Sequence, residues 1–299
     1  MNNVVFIVGP TAAGKSEAAY SLARRLKAEI ISADSMLVYK EPLIITAKPS
    51  SAILTEIPHH FVGIISVKQE YNVFDYCRDA SAKIEALGEK NIPVIVCGGT
   101  GLYIKALLDG IFEGAGKDEK LRKQLEKKAE VNGRKSLHEE LKKIDSKAAE
   151  KISPNDLKRI IRALEVYYTQ GALISDKKKE AKGFWGKIPI KIFGLRMDRG
   201  LLYERINKRV DEMFENGAVE EVKKLLKMNL SFTAAKVIGI KEIRRFLEGN
   251  ISEEEAKELM KKNTRNFAKR QLTWFRKDKR IEWVDVEGGG ERFFAFGSK

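Results

Sequence analysis

No run of residues approaches the roughly 20 apolar positions that a membrane-spanning helix needs, so none is expected. Cysteine is scarce: only Cys77 and Cys97 occur among 299 residues. Two thiols far apart in sequence exclude a disulfide framework and a zinc finger. Both sit in apolar segments and read as core thiols in a reducing cytoplasm. The three histidines, His59, His60 and His138, show no metal-ligand spacing. There is no repeat of fixed period and no low-complexity tract. The first residues enter a strand pattern directly, without a basic-then-apolar leader, so a cytoplasmic protein is expected. Acidic residues fall short as well: 42 Asp and Glu against 56 Lys and Arg leave a net charge of +14. A small-metabolite enzyme has no use for that surplus, whereas a phosphate-rich polymer is attracted and oriented by it.

What is present is an alternation of strands and helices. Val4–Val8 is a continuous β-branched run, the mark of a strand buried on both faces of a parallel sheet. Residues 15–27 follow as a helix with Ala18, Ala19, Leu22, Ala23 and Leu26 on one face. Glu29–Ser32 and 93–97 read as further buried strands, 74–90 as a helix between them, and 61–65 as a weaker strand. This order predicts an α/β fold with a parallel sheet. From 118 to about 170 the pattern is helical, with Ser153 or Asn155 placed to cap a helix that Gly171 ends. The stretch SDKKKEAKGFWGK (175–187) reads as a mobile basic loop, and Ile190–Arg196 returns as a strand. Residues 200–216, 219–228, 241–247 and 252–277 read as helices, 281–286 as a last edge strand, and the Gly-rich tail as disordered. The domain division is therefore 1–115, a helical insertion 116–187, and a resumed core 188–299.

Four motifs carry chemistry. VVFIVGPTAAGKS places Gly9, Gly14, Lys15 and Ser16 in the spacing G-x-x-x-x-G-K-[ST], between a buried strand and a helix. Such a loop aims backbone N–H groups and a helix N-terminus at phosphate; the lysine adds a point charge and the serine hydroxyl can ligate Mg²⁺. Asp34, just beyond the second strand, fits either a ligand-facing carboxylate or a helix N-cap. The strand 93–97 ends in Cys97-Gly98-Gly99-Thr100 where an ATPase motor would carry an acid for magnesium and water, which argues against a motor or helicase. Finally, Lys158, Arg159 and Arg162 fall on a helix of the insertion, Arg205 and Arg209 lie four apart on one helix face, and Lys269, Arg270, Arg276 and Lys277 surround Trp274 and Phe275, interleaved cations and aromatics suited to a nucleic-acid backbone. Trp274 and Phe275 fit the core as well as a base platform.

GPTAAGKS, ISADSMLVYK, TAKP, PHH, GGTGLYIKALLDG, ISPNDLKRIIRALEVY, ERINKRVDEMFENGAVEEV and AKRQLTWFR, taken together, resemble the bacterial tRNA dimethylallyltransferases (tRNA isopentenyltransferases) from Val4 to about Arg276. The resemblance implies a P-loop kinase-like core with a helical insertion and a helical C-terminal part, working as a monomer. It implies transfer of a dimethylallyl group from dimethylallyl diphosphate to N6 of the adenosine 3′ of the anticodon, in tRNAs reading codons that begin with U. On that basis Gly9, Pro10, Thr11, Ala12, Ala13, Gly14, Lys15 and Ser16 hold the diphosphate, with Mg²⁺ on Ser16. Asp34 resembles the general base, Thr100 a residue beside the reacting groups, and Arg209 the arginine on the diphosphate. Asp34, Ser35, Met36, Leu37, Thr100, Arg122, Lys158, Arg159, Ile160, Ile161, Arg162, Lys241, Lys269, Arg270 and Arg276 match segments that contact the tRNA anticodon stem-loop.

The chain departs from the family pattern at Glu41, Leu43 and Ile45, where KEPLIITAKP replaces KGLDIGTAKP, and at Leu37 and Ile240. Two other readings stand beside the leading one: a P-loop small-molecule kinase, and a catalytically impaired tRNA-binding protein.

Overall fold

The computed structural model describes residues 4–112, 116 and 118–286. The expected disorder of the Gly-rich tail lies outside the described residues. Contacts divide the chain into two units, Met1–Leu107 with Trp185–Lys299, and Leu108–Phe184. The residue pattern predicts these boundaries at 116 and 187. They fall earlier because the Leu108–Gly110 backbone lies directly against Lys182 and Gly183, so both chain crossings belong to the inserted unit.

The larger unit runs β1 (Val4–Val8), α1 (Lys15–Leu26), β2 (Glu29–Ser32), α2 (Ser51–Glu56), β3 (His59–His60), α3 (Val73–Glu89), β4 (Val94–Gly98) and α4 (Gly101–Asp109), which leads into the inserted unit. The inserted unit holds α5 (Glu119–Asn132), α6 (Arg134–Ile144), α7 (Ser146–Lys151), α8 (Leu157–Gln170) and α9 (Ile174–Glu180). The larger unit resumes with β5 (Ile190–Arg196), α10 (Arg199–Glu215), α11 (Ala218–Leu225), α12 (Ile240–Leu247), α13 (Glu253–Phe275) and β6 (Glu282–Asp285). Its six strands pair in parallel in the order β3-β2-β4-β1-β5-β6.

The apolar strands are buried on both faces, as their unbroken β-branched character requires. Ile7, Ile30, Ile95 and Leu195 pack with Leu22 and Ala23 of α1, Leu202 and Ile206 of α10, and Ala268 of α13. Each such large side chain contributes about 1.5–3 kcal/mol by leaving water. Reciprocal caps set two helix starts: Asn72 with Asp75 for α3, and Ser252 with Glu255 for α13.

Three local expectations need correction. The weak strand at 61–65 is replaced by the shorter β3, because Phe61 and Gly63 adopt φ of 64° and 62° and turn the chain off the sheet edge. Only Ile65 of that segment returns, in an isolated bridge to Tyr39. Within the basic stretch 175–187, residues through Glu180 are helical as part of α9, anchored by buried Ile174 and by Ser175 N–H donating to Asp145 at 2.9 Å. Asp156, rather than Ser153 or Asn155, caps α8, accepting from Arg159 N–H. The inserted unit has its own core, in which Leu125, Leu137, Leu141, Ile160, Ile161 and Leu164 meet.

Candidate active site

The order β2-β4-β1 brings three loops side by side at the carboxyl ends of the strands, where ligands bind in open parallel sheets. The β1 loop carries the phosphate motif. Its lysine, Lys15, donates from Nζ to Pro10 O at 2.7 Å, which holds the ammonium over the loop. Burial lowers the Lys15 pKa, while nearby Cys97 and Asp34 pull it back up. Ser16 is exposed on the first turn of α1. The first amides of a helix have no carbonyl one turn behind them and remain available to an anion.

The β2 loop presents Asp34. Its Oδ1 accepts Met36 N–H at 2.9 Å, so the residue shapes a local turn while lining the cavity. No helix starts after Asp34, so the helix N-cap alternative is not realised there: the carboxylate closes a turn instead. The β4 loop ends on Thr100, whose Oγ1 accepts Ser35 N–H at 3.0 Å and whose own N–H donates to Ala33 O at 3.1 Å. The glycines around it permit contact with α13: a side chain at Gly99 would collide with Gln271, and one at Gly101 with Trp274. Trp274 is accordingly 39% exposed against that glycine, while Phe275 is a core residue at 2%.

Arg209, on α10, reaches across with Nη1 3.4 Å from Thr11 Oγ1. Burial lowers its pKa and Asp34 opposes that shift, so a cation and an anion face the same space. Arg209, Thr11 and Asp34 line a cavity of about 240 Å³. Its polar lining comes from Thr11, Asp34, Thr46, Arg209, Lys236, Thr264 and Arg270, and Ile206, Val210, Met213 and Met260 are among its apolar lining; Lys15, Ser16 and Thr100 do not line it. Cys97, whose Sγ contacts Lys15 O, is buried, and burial pushes its thiol up to about 11.

The sequence profile of the IPP transferase family matches residues 37–278. The chain belongs to this family. It is 47% identical over 285 residues to the tRNA dimethylallyltransferase of Carboxydothermus hydrogenoformans, covering 94% of this chain and 91% of that one. Among solved structures it is similar to the full-length tRNA isopentenylpyrophosphate transferase of Bacillus halodurans, with 36% identity, a TM-score of 0.72, and coverage of 99% and 94%. It is also similar to a eukaryotic dimethylallyltransferase captured acting on tRNA, at 28% identity, a TM-score of 0.81, and coverage of 96% and 74%.

Within this IPP transferase, the residues named from sequence separate by environment. Lys241, Lys269, Arg270 and Arg276 are exposed on the larger unit, and Lys158 and Arg159 on the inserted one. Ile160 and Ile161 are not surface residues: at 0% and 5% exposure they are core of the inserted unit. Arg122 and Arg162 clasp the fully buried Glu165, at 2.8 and 2.6 Å, so both guanidinium groups are largely committed to structure. The histidines are structural too: His60 bonds Glu29 at 2.5 Å, and His138 reaches the carbonyls of Ala149 and Ile152.

The family departures have physical counterparts. Glu41 accepts from Ser66 Oγ at 2.5 Å and Val67 N–H at 2.9 Å, and Glu221 accepts the amides of Leu43, Ile44 and Ile45. Ile45 is buried in the cavity wall beside Gly239 and Met260, whereas Leu43 is 55% exposed. Sequence reasoning missed Gln271, a neutral residue lying unremarked inside a basic segment.

Proposed function

We propose that this chain transfers the dimethylallyl group of dimethylallyl diphosphate to N6 of the adenosine 3′ of the anticodon, in tRNAs reading codons that begin with U. One juxtaposition carries the reading: Thr11 and Ala12 of the phosphate loop and Arg209 share a cavity with the Asp34 carboxylate and an apolar wall of Ile206, Val210 and Met213. A diphosphate, an amine and a short hydrocarbon each find matching chemistry there.

In the reaction the allylic carbon–oxygen bond breaks and inorganic diphosphate leaves with the electron pair. The N6 lone pair forms the new carbon–nitrogen bond, and Asp34 takes the N6 proton. Lys15, Arg209 and the loop amides stabilise the charge growing on the leaving oxygens. Thr100 holds the Asp34 turn through Ser35. The apolar wall shields the allylic group from water as positive charge develops on it. The target adenine leaves its stack to reach the cavity.

A magnesium ion fits at Ser16, whose hydroxyl is exposed beside the phosphate loop. No group of three or more His, Cys, Asp or Glu residues suited to a metal exists among the described residues. Ser16 would supply one hydroxyl to such an ion, which fits Mg²⁺, an ion that dehydrates reluctantly and needs few protein ligands. When bound it supplies countercharge to the diphosphate. No described helix is long and apolar enough to cross a membrane. The two buried, unpaired thiols support a reducing compartment such as the cytoplasm.

Incubation with dimethylallyl diphosphate and unmodified tRNA transcripts, followed by nuclease digestion and mass spectrometry, tests the reading. The expected result is prenylated adenosine next to the anticodon. Absence of transfer, with ATP-dependent phosphorylation of a small metabolite instead, would overturn it in favour of a kinase.

A further inference from the structure

We propose that Gln271 is a positioning residue that locks the phosphate-holding loop to the Thr100 turn, and so sets the distance between the allylic carbon and the attacking amine. This rests on the reaction proposed above. Gln271 is only 5% exposed on α13. Its Oε1 accepts Thr11 N–H at 2.8 Å, and its Nε2 donates to Gly99 O at 3.0 Å. One planar amide therefore joins the loops that follow β1 and β4. The tie continues: Thr100 adjoins Gly99, donates to Ala33 O, and receives Ser35 N–H next to Asp34. The groups that hold the diphosphate and the group that takes the proton are thus linked through one side chain.

Only a glutamine-like amide meets both demands at that reach. A carboxylate accepts without donating, a lysine or arginine donates without accepting, and a negative charge here would face the diphosphate. Gly99 is the other half of the device, because any Cβ there would displace Nε2. Ala268 and Phe275, buried on either side along α13, anchor the segment from which Gln271 reaches. Both polar ends of Gln271 are engaged by backbone, which makes it a positioning residue rather than a catalytic one. Displacements near 1 Å in such a site cost about 10²-fold in rate.

The test compares Gln271→Met, which keeps the length but neither hydrogen bond, with Gly99→Ala and the double variant. The expected result for Gln271→Met is a kcat lowered about 10- to 100-fold, with KM for tRNA and for dimethylallyl diphosphate within about 3-fold. The double variant loses no more than the worse single, since both break one tie. Gln271→Glu, which retains the acceptor and guards against misfolding of the methionine variant, also loses kcat and raises KM for the diphosphate. Hydrogen exchange at the Thr11 amide, about tenfold faster in Gln271→Met, reads the tie without turnover. Unchanged kcat, a loss confined to KM, multiplicative losses in the double variant, or an unchanged Thr11 amide would each overturn the proposal. No transfer by the unsubstituted protein would instead count against the proposed reaction, while the exchange measurement still judges Gln271.

Discussion

Thr100 Oγ1 accepts the Ser35 backbone N–H at 3.0 Å and stands 3.3 Å from the Ser35 hydroxyl, so the end of β4 fixes the turn that presents Asp34. Thr100→Val keeps the shape but leaves that amide unpaired, at a cost of roughly 1–3 kcal/mol if it stays buried. A single-turnover rate about 10- to 100-fold lower is expected, with Thr100→Ser within about 3-fold of the unsubstituted protein. A fully active valine variant would refute the role.

Arg209 is the cation on the far side of the phosphate loop, 3.4 Å from Thr11 Oγ1. Its fork can grip two oxygens of a diphosphate, which a lysine ammonium cannot do. Arg209→Ala is expected to lower kcat/KM for dimethylallyl diphosphate by about 10²–10³-fold, as removal of one preorganised donor does elsewhere. Arg209→Lys should recover only part of that loss. Equal losses for the two variants would show that charge and fork are both required, and no loss would remove Arg209 from the site.

Much of this architecture is legible in residue pattern because the strands are nearly pure. Val4–Val8 and β4 have no polar position to blur their period, and Gly9 to Ser16 fix the turn between strand and helix. Phe61 misled for the opposite reason: an aromatic in an apolar run looks like strand, and its positive φ is imposed by surrounding tertiary structure. Ile160 and Ile161 were swept into an RNA-contact segment by their neighbours Lys158 and Arg159, although helical period alone turns them inward. Gln271 was illegible. A glutamine has no charge or reactive group, and its partners lie 260 and 172 residues away in sequence.

Glu165 gives the inserted unit a pH dependence. Burial alone would raise its carboxyl pKa, but Arg122, Arg162 and the Asp118 amide hold it below the ordinary 4.5. A depressed folded value means the carboxylate adds stability above the unfolded pKa, and that contribution is lost as pH falls through the folded one. Unfolding midpoints should therefore drop on acidification below about pH 4.5. Glu165→Gln, which strands two arginines, should destabilise by roughly 3 kcal/mol in urea titrations at pH 7 and flatten that acid limb. A variant as stable as its parent would refute the ion-pair account.

The loop that departs from the family pattern is held rather than loose. Glu41 takes two hydrogen bonds from Ser66 and Val67, and Ile45 lies in the cavity wall that Met260 also lines. Ile45→Gly removes a buried side chain of the class whose truncation costs about 2–5 kcal/mol, and it opens the cavity. The expected outcome is a lower melting temperature with a raised KM for dimethylallyl diphosphate. Restoring the family's glycine with no loss of stability would show that Ile45 fills nothing.

Lys158 and Arg159 project from α8 into solvent, whereas Arg122 and Arg162 turn to Glu165. If the exposed pair meets tRNA phosphates, each charge releases counterions on binding. Lys158→Glu should then weaken tRNA binding across all substrates and reduce the slope of log affinity against log salt by about 1 or more. Its melting temperature should stay within about 1 °C of the parent, because the ammonium is exposed. Arg122→Glu should do the reverse, collapsing stability first, since it sets a second carboxylate against the buried Glu165. Filter binding across a salt series, run beside thermal melts of both variants, separates the two roles. Identical binding and melting profiles for Lys158→Glu and Arg122→Glu would show that burial does not divide these cations.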